Sequence, residues 1–240
     1  VERREAADGV RRVALLAPMR HELRPLLHPL GLRRDPEGPL FRGAAGRTQV
    51  VAAITGIGMR AAARATERML DEGAFDRVLV VGIAGGIAQG ARIGDLVVPE
   101  QVLDLASGTR HRPAALAGLA PRGVLATEDG MLSDRDALRA LRGRGVVAID
   151  METAAVAAVC ERRGVAWSVL RAISDHVDHA PVDPAVFALA GPDGGPDLAA
   201  LARFLLVRPW RLATLARLAR DMRTAANAAA AAAVRALAQA

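Results

Sequence analysis

The residues of this chain best suited to chemistry are carboxylates at the ends of apolar runs. Asp150 and Glu152 bracket Met151, where residues 146–149 give way to an alanine-rich, helix-forming stretch. Asp175 follows Ser174, where a second apolar run, residues 165–173, ends. In an open α/β sheet, ligands bind beyond the carboxyl ends of the strands, so both acidic turns are candidates for one cleft. Glu22 in "PMRHEL" is a further acid, just past a first apolar run at residues 13–17. Each also has an ordinary reading. Glu152 suits the first turn of a helix, where the dipole favours an acid. Asp175 suits an N-cap, and Glu22 an exposed helical position.

Other candidates are weaker. "GIGMRA" at 56–61 fits the dinucleotide pattern after a strand, but the acidic residue that should end the next strand is missing; that strand runs into Val81 and Gly82. A tight turn bringing backbone amides and a helix N-terminus to the cleft is the plainer expectation. "DHVDH" at 175–179 groups Asp175, His176, Asp178 and His179 without a zinc spacing. No metal and no cofactor is therefore expected. Cys160 lies among Ala and Val, which favours packing over nucleophilic catalysis.

The elements that must position these groups alternate. Strands are expected at 13–17, 41–42, 48–54, 77–81, 96–103, 123–127, 146–149 and 165–173. Helices are expected after "TGIG", after Ser133 or Asp134, and after Glu152. "GIAGGIAQGARIGD" at 82–95 reads as a glycine-rich turn. Strand–helix alternation predicts a doubly wound, largely parallel sheet. After a Pro/Gly-rich stretch beyond Asp178, the sequence becomes helical by composition, with a break near Pro209. The expected organisation is one domain over 13–200 and a helical extension over 201–240, whose final Ala-rich part has strong helix propensity and little to bury.

Composition removes several function classes. The 32 basic residues are all arginine, which excludes a Schiff-base lysine and the lysine of a P-loop. The net charge of +6 favours anions, but with 2% aromatic residues the interleaved basic–aromatic pattern of single-strand nucleic-acid binders is missing, so no nucleic-acid partner is expected. One cysteine excludes an internal disulfide framework. The stretch "VERREAADGVRR" has no apolar signal core, and no long uncharged apolar run suggests a membrane span. A cytoplasmic location is expected.

Taken together, "LLAPMRHEL", "TGIG", "VVGIAGGIAQGARIGDLVVP", "DMETAAVAAVC" and "VLRAISDHVD", in this order between about Val13 and Asp178, resemble the nucleoside phosphorylase/nucleosidase superfamily that includes methylthioadenosine/S-adenosylhomocysteine nucleosidase. The resemblance implies a three-layer α/β/α fold with a mixed, largely parallel central sheet. It implies cleavage of the N-glycosidic bond of a purine nucleoside. Asp175 would be the general acid toward the purine N7, oriented by Ser174. Glu152 would accept hydrogen bonds from the ribose hydroxyls, with Met151 against the sugar. Glu22, three residues after Met19, would activate water. The base would sit near Gly85 and the 127–132 loop, where Met131 stands in place of the usual phenylalanine. Phosphorolytic relatives use an arginine and a serine where this chain has Val80 and Ile83, which favours water over phosphate. An oxyanion within reach of Arg20, Arg24 or Arg60 keeps phosphorolysis open.

"DMET" in place of the more usual "EMEA", "GIAGG", "APVDPA" and the terminal "RPWRLATLARLARDMRTAANAA" resemble the hopanoid-associated branch. That implies a lipid-linked substrate, adenosylhopane, and gives the tail a reason. A basic helix with Phe204, Leu205, Leu206 and Trp210 suits a membrane surface, or equally covers the sheet or an interface between copies. A homo-oligomer is implied. A non-catalytic nucleoside sensor on the same fold is the reading outside enzymes.

Overall fold

The computed structural model describes residues 11–130, 132, 134–176 and 212–239. They form one eleven-stranded sheet covered on both faces by helices. The first half supplies β1 (Arg12–Ala17), α1 (Arg20–Leu27), β2 (Arg33–Arg34), β3 (Phe41–Ala45), β4 (Thr48–Ile54) and α2 (Met59–Asp71). Then come β5 (Arg77–Gly86), β6 (Leu96–Val97), β7 (Gln101–Asp104), β8 (Arg110–His111), β9 (Val124–Thr127) and α3 (Arg135–Gly143). The last described elements are β10 (Val146–Asp150), α4 (Thr153–Arg162), β11 (Trp167–His176) and α5 (Leu212–Ala238).

The sheet runs β2-β3-β4-β1-β5-β10-β9-β7-β8, with β11 beside β5 and β6 beyond it. β1, β4, β5 and β11 pair in parallel with their neighbours in this group, as do β7, β9 and β10 in theirs. β10 meets β5 antiparallel, and only at Gly85 and Gly86. The sheet is therefore mixed and largely parallel, as expected. Its central strands are apolar on both sides because both sides are covered. On β1, Ala14 and Leu16 join the core under α2 and α4, while Val13, Leu15 and Ala17 join the core under α1 and α5. β5 repeats the alternation with Val78 and Val80 against Leu79 and Val81.

Two expectations need correction. Residues 82–86 are not part of a turn; β5 continues through them to Gly86. The glycines serve close approach. A Cβ on Gly82 would stand 2.3 Å from both Arg171 Nη1 and Glu22 Oε1, and one on Gly86 would stand 2.9 Å from Ile173 Cγ2. The expected strand at 96–103 is likewise two short strands, β6 and β7, separated by a stretch containing Pro99, which has no N–H for a ladder.

The Ala-rich end also has much to bury. Ala225, Ala226, Ala229, Ala230, Ala232, Ala233, Ala236 and Leu237 of α5 are buried, and the helix packs against β11, α1 and β5. Small side chains let its backbone lie close to the sheet, and alanine carries the best helix propensity. The first half of α5 differs: Leu212, Arg217, Arg220 and Arg223 are exposed. Among the described residues, no helix is long and apolar enough to cross a membrane. Phe204, Leu205, Leu206 and Trp210 lie outside the described residues.

Candidate functional site

The site is organised by two glycines of β5. At Gly85, β5 pairs with Asp175 of β11 on one edge and with Ile149 of β10 on the other. The strand ends bearing both acidic turns therefore meet there. A Cβ at Gly85 would lie 3.4 Å from Ile149 Cγ2 and 3.5 Å from Asp175 Oδ2, so the missing side chain leaves space beside the Asp175 carboxylate. The register of β11 shifts between Ile173 and Asp175, making Ser174 the extra residue of a bulge. Bulges re-aim side chains. Here Ser174, buried, donates its hydroxyl proton to Asp175 Oδ1 at 2.6 Å, while Asp175 itself is half-buried.

At Gly82 the missing side chain leaves room for Arg171 and Glu22 to meet above the strand. Arg171 lies on β11 with no exposed surface. Its Nε donates to Asp150 Oδ2 at 3.0 Å, and its Nη2 lies 2.7 Å from that oxygen and 3.3 Å from Glu152 Oε2. Its Nη1 is 3.8 Å from Glu22 Oε1 and has no hydrogen-bond partner among the described residues. One guanidinium thus faces three buried carboxylates. Burial works against its charge, but Asp150, Glu152 and Glu22 outweigh that and raise its pKa.

Glu22 sits in the first turn of α1. It accepts from the Met19 amide through Oε2 at 2.8 Å and from the Ile83 amide through Oε1 at 2.8 Å. It is buried, which corrects the exposed-helix reading. Burial pushes its pKa up to about 8, the charge of Glu152 adds to the shift, and Arg171 with the two amides opposes it. Glu152, at the N-cap of α4, accepts from the Gly58 amide at 3.0 Å. Burial pushes it up to about 7, Asp150 adds, and Arg171 and backbone donors oppose. These two carboxyls therefore exchange protons around neutrality, the range suited to acid–base work.

The glycine turn before α2 takes a different part from that of a dinucleotide loop. Its Gly58 and Met59 amides are satisfied by Glu152 Oε1 and by Asp129 Oδ1, the latter at 2.8 Å. Carboxylates already occupy the donors that a pyrophosphate would need. Val80 is buried in the core and Ile83 packs toward α1 and α5, so neither offers an anion a polar side chain. Met19 and Met151 are half-buried beside Glu22 and Glu152 in the chain. Met131, Asp178 and His179 lie outside the described residues. Cys160 is buried, and burial pushes its thiol up to about 12, which suits packing and disfavours a thiolate.

Sequence reasoning picked out Asp150 without giving it a role, and missed Arg171 and the two threonines on Asp150. Thr127 Oγ1 donates to Asp150 Oδ1 at 2.7 Å, and the Thr153 hydroxyl contacts Asp150 Oδ2. The available signal was a single arginine inside the apolar run "WSVLRAI": a strand buried on both faces tolerates a charge only beside a countercharge.

Comparison with known proteins bears on the fold and the family. The Phosphorylase superfamily pattern matches residues 12–118 and 117–206. A 5′-methylthioadenosine/S-adenosylhomocysteine nucleosidase from Exiguobacterium is 28% identical over 201 residues, covering 70% of this chain and 86% of that one. Among solved structures, the Helicobacter pylori methylthioadenosine/S-adenosylhomocysteine nucleosidase superposes with TM-score 0.70 at 20% identity, covering 97% of this chain and 100% of the other. Helicobacter pylori futalosine hydrolase gives TM-score 0.69 at 20% identity, covering 96% and 98%. Fold and site define an α/β/α enzyme of the nucleosidase or nucleoside phosphorylase kind. The chain belongs to the phosphorylase superfamily.

Proposed function

We propose that this enzyme cleaves the N-glycosidic bond of a 5′-substituted purine nucleoside, releasing adenine, with water as the nucleophile. The observation that carries the reading is the pairing of two differently built acidic centres around β5. One is Asp175 with Ser174 beside Gly85; the other is Glu22 and Glu152 around Arg171. Asp175 donates a proton to purine N7 as the bond from the sugar carbon to N9 breaks and its electron pair goes to the base. The sugar becomes oxocarbenium-like. Glu152 and Met151 hold the ribose, and Glu22 takes the proton of the attacking water. Burial raises the pKa of Glu22 to about 8, which favours its protonated form near neutrality. A cationic sugar beside it favours the carboxylate, so the base is formed where the reaction needs it. The purine stacks near Gly85 and Met131.

Water is favoured over phosphate because Val80 and Ile83 offer no polar side chain and Glu22 occupies the Ile83 amide. We take the substrate to be adenosylhopane, in hopanoid biosynthesis, with methylthioadenosine or S-adenosylhomocysteine as the small-substrate alternative. The exposed, arginine-bearing first half of α5 supports peripheral contact with the inner membrane face by a homo-oligomer.

Adenine release is to be measured from methylthioadenosine, adenosine and liposome-held adenosylhopane, with and without phosphate. Release without phosphate is expected, fastest from adenosylhopane, and it should vanish in a folded Asp175→Asn variant. A strict phosphate requirement would establish phosphorolysis. Tight purine binding with no turnover on any substrate would make the protein a sensor.

A further inference from the structure

Thr153 opens α4 and is fully buried. Its hydroxyl lies between Asp150 Oδ2, in direct hydrogen-bond contact, and Arg171 Nη2, 3.1 Å away. A hydroxyl has one proton to give and lone pairs to receive. Arginine has no acceptor, so it donates to the threonine oxygen, and the one threonine proton is left for Asp150 Oδ2. The direction is therefore fixed: Thr153 donates to Asp150 and accepts from Arg171. Thr127 completes the arrangement by donating to Asp150 Oδ1 at 2.7 Å while accepting the Ala154 amide at 3.1 Å. The Thr153 amide approaches the same Oδ1 at 3.3 Å. Both Asp150 oxygens are thus engaged by the protein itself. Asp150 acts on Arg171 rather than on a ligand.

The rest of the guanidinium faces the two glutamates. Nη2 is 3.3 Å from Glu152 Oε2, and Nη1 lies over Gly82, 3.8 Å from Glu22 Oε1. A planar group fixed along its Nε–Nη2 side cannot turn without changing both distances. We propose that Thr153 is a positioning residue: its hydroxyl fixes the plane of Arg171 and, through it, the placement of Glu22 and Glu152. The consequence for the reaction rests on the nucleosidase reading above; the consequence for the two glutamates does not.

The charged groups that meet here come from every packed element. They are Glu22 from α1, Asp150 from β10, Glu152 at the start of α4 and Arg171 from β11, with Asp129 on the adjoining Met59 amide of α2. Loosening Arg171 weakens the one counter-charge paired with both glutamates, so each holds its proton to higher pH.

The test compares Thr153→Val and Thr153→Ala, which remove the hydroxyl, with Thr153→Ser, which keeps it. Carboxyl carbons of labelled glutamate are titrated by NMR in the unliganded protein, and kcat/KM for base release is followed against pH. Whichever hydroxyl-free variant folds should titrate two glutamates at higher pH than the wild type. It should lose about tenfold in kcat/KM at pH 7, the usual weight of a hydrogen bond to a charged group, with its acid limb moved upward. Thr153→Ser should restore both. Lowered thermal stability with unchanged titrations and an unchanged acid limb would overturn the proposal and leave Thr153 a packing residue. Shifted titrations in a protein that cleaves no nucleoside would refute the reaction and keep the positioning role. If neither Val nor Ala folds while Ser titrates away from the wild type, the hydroxyl's presence is not what sets the glutamates, and the proposal fails.

Discussion

Two arginine–carboxylate clusters in this protein use the same groups to opposite ends. On the outside, Arg162 and Arg163 at the end of α4 reach Glu67 and Asp71 on α2. Two cations meet two anions, and all four side chains are about a third or more exposed. Inside, Arg171 meets Asp150, Glu152 and Glu22, with no side chain above 7% exposure. One cation meets three carboxyl groups. At 4 Å, unit charges interact by about 1 kcal/mol in water and about 4 kcal/mol at an effective dielectric near 20. The outer cluster is balanced where balance matters little. The inner one is unbalanced where imbalance is costly. Buried carboxyls short of positive charge hold their protons to higher pH, as for Glu22 and Glu152, and on the proposed reaction a cationic sugar supplies the missing charge.

Removing the inner cation should give the largest effect. Arg171→Met leaves three buried carboxylates without their partner, a change that typically costs 3–5 kcal/mol. Urea unfolding should show that loss, and it should grow with pH because each carboxyl must then ionise unaided. On the proposed reaction base release should fall by about 100-fold or more, since Glu152 at the ribose hydroxyls and Glu22 at the water would both lose their placement. A variant as stable and active as the wild type would mean that the inner charges are no more consequential than the outer ones.

Glu22→Gln sharpens the comparison by removing an ionisable carboxyl, at the cost of one of its two backbone hydrogen bonds. The folded-state pKa of Glu22 is raised to about 8 from an ordinary value of 4.5. Its contribution to stability is therefore fully present below the unfolded value and is lost as pH rises through the folded one. The wild type should lose stability between about pH 4.5 and 8, by a few kcal/mol at most for one such group. Glu152, raised to about 7, adds to the same slope over a narrower window. Glutamine cannot ionise, so the variant's thermal melts should depend less on pH across that interval, while water activation is lost. Equal slopes would show that Glu22 is not the group holding the proton.

These two regions were also unequally legible in the sequence. The strand–helix alternation, the edges of β1, β4, α4 and β10, and the convergence of Asp150, Glu152 and Asp175 follow from apolar periodicity and from where strands end. The glycines of β5 did not, because "GIAGG" has the composition of a turn; only the bulk of Arg171 and Ile173 on the neighbouring strand shows that a straight strand needs them. The α5 alanines misled for a related reason. Their burial depends on how closely the helix lies on β11, which composition does not encode. For Glu22 the residues alone left an exposed helical position open beside the water-activating role implied by the resemblance, because one helical turn does not show which side its sheet is on. Arg171 was visible as a lone charge in an apolar strand, but its three partners come from three other elements, and no local spacing links them.

The smallest expected effect belongs to the outer cluster, and it tests the comparison from the other side. Glu67→Gln removes the anion that Arg162 and Arg163 share, while Arg163 keeps Asp71. Exposed pairs gain little because the solvent screens them and long side chains must be ordered to form them. The melting temperature should move by less than about 2 °C, and base release should not change. Salt near 1 M shortens the screening length to about 3 Å, so the remaining difference from the wild type should disappear there. The loss in Arg171→Met should persist at the same salt, because ions do not reach a buried guanidinium. If salt erased both effects alike, burial would not be what separates the two clusters.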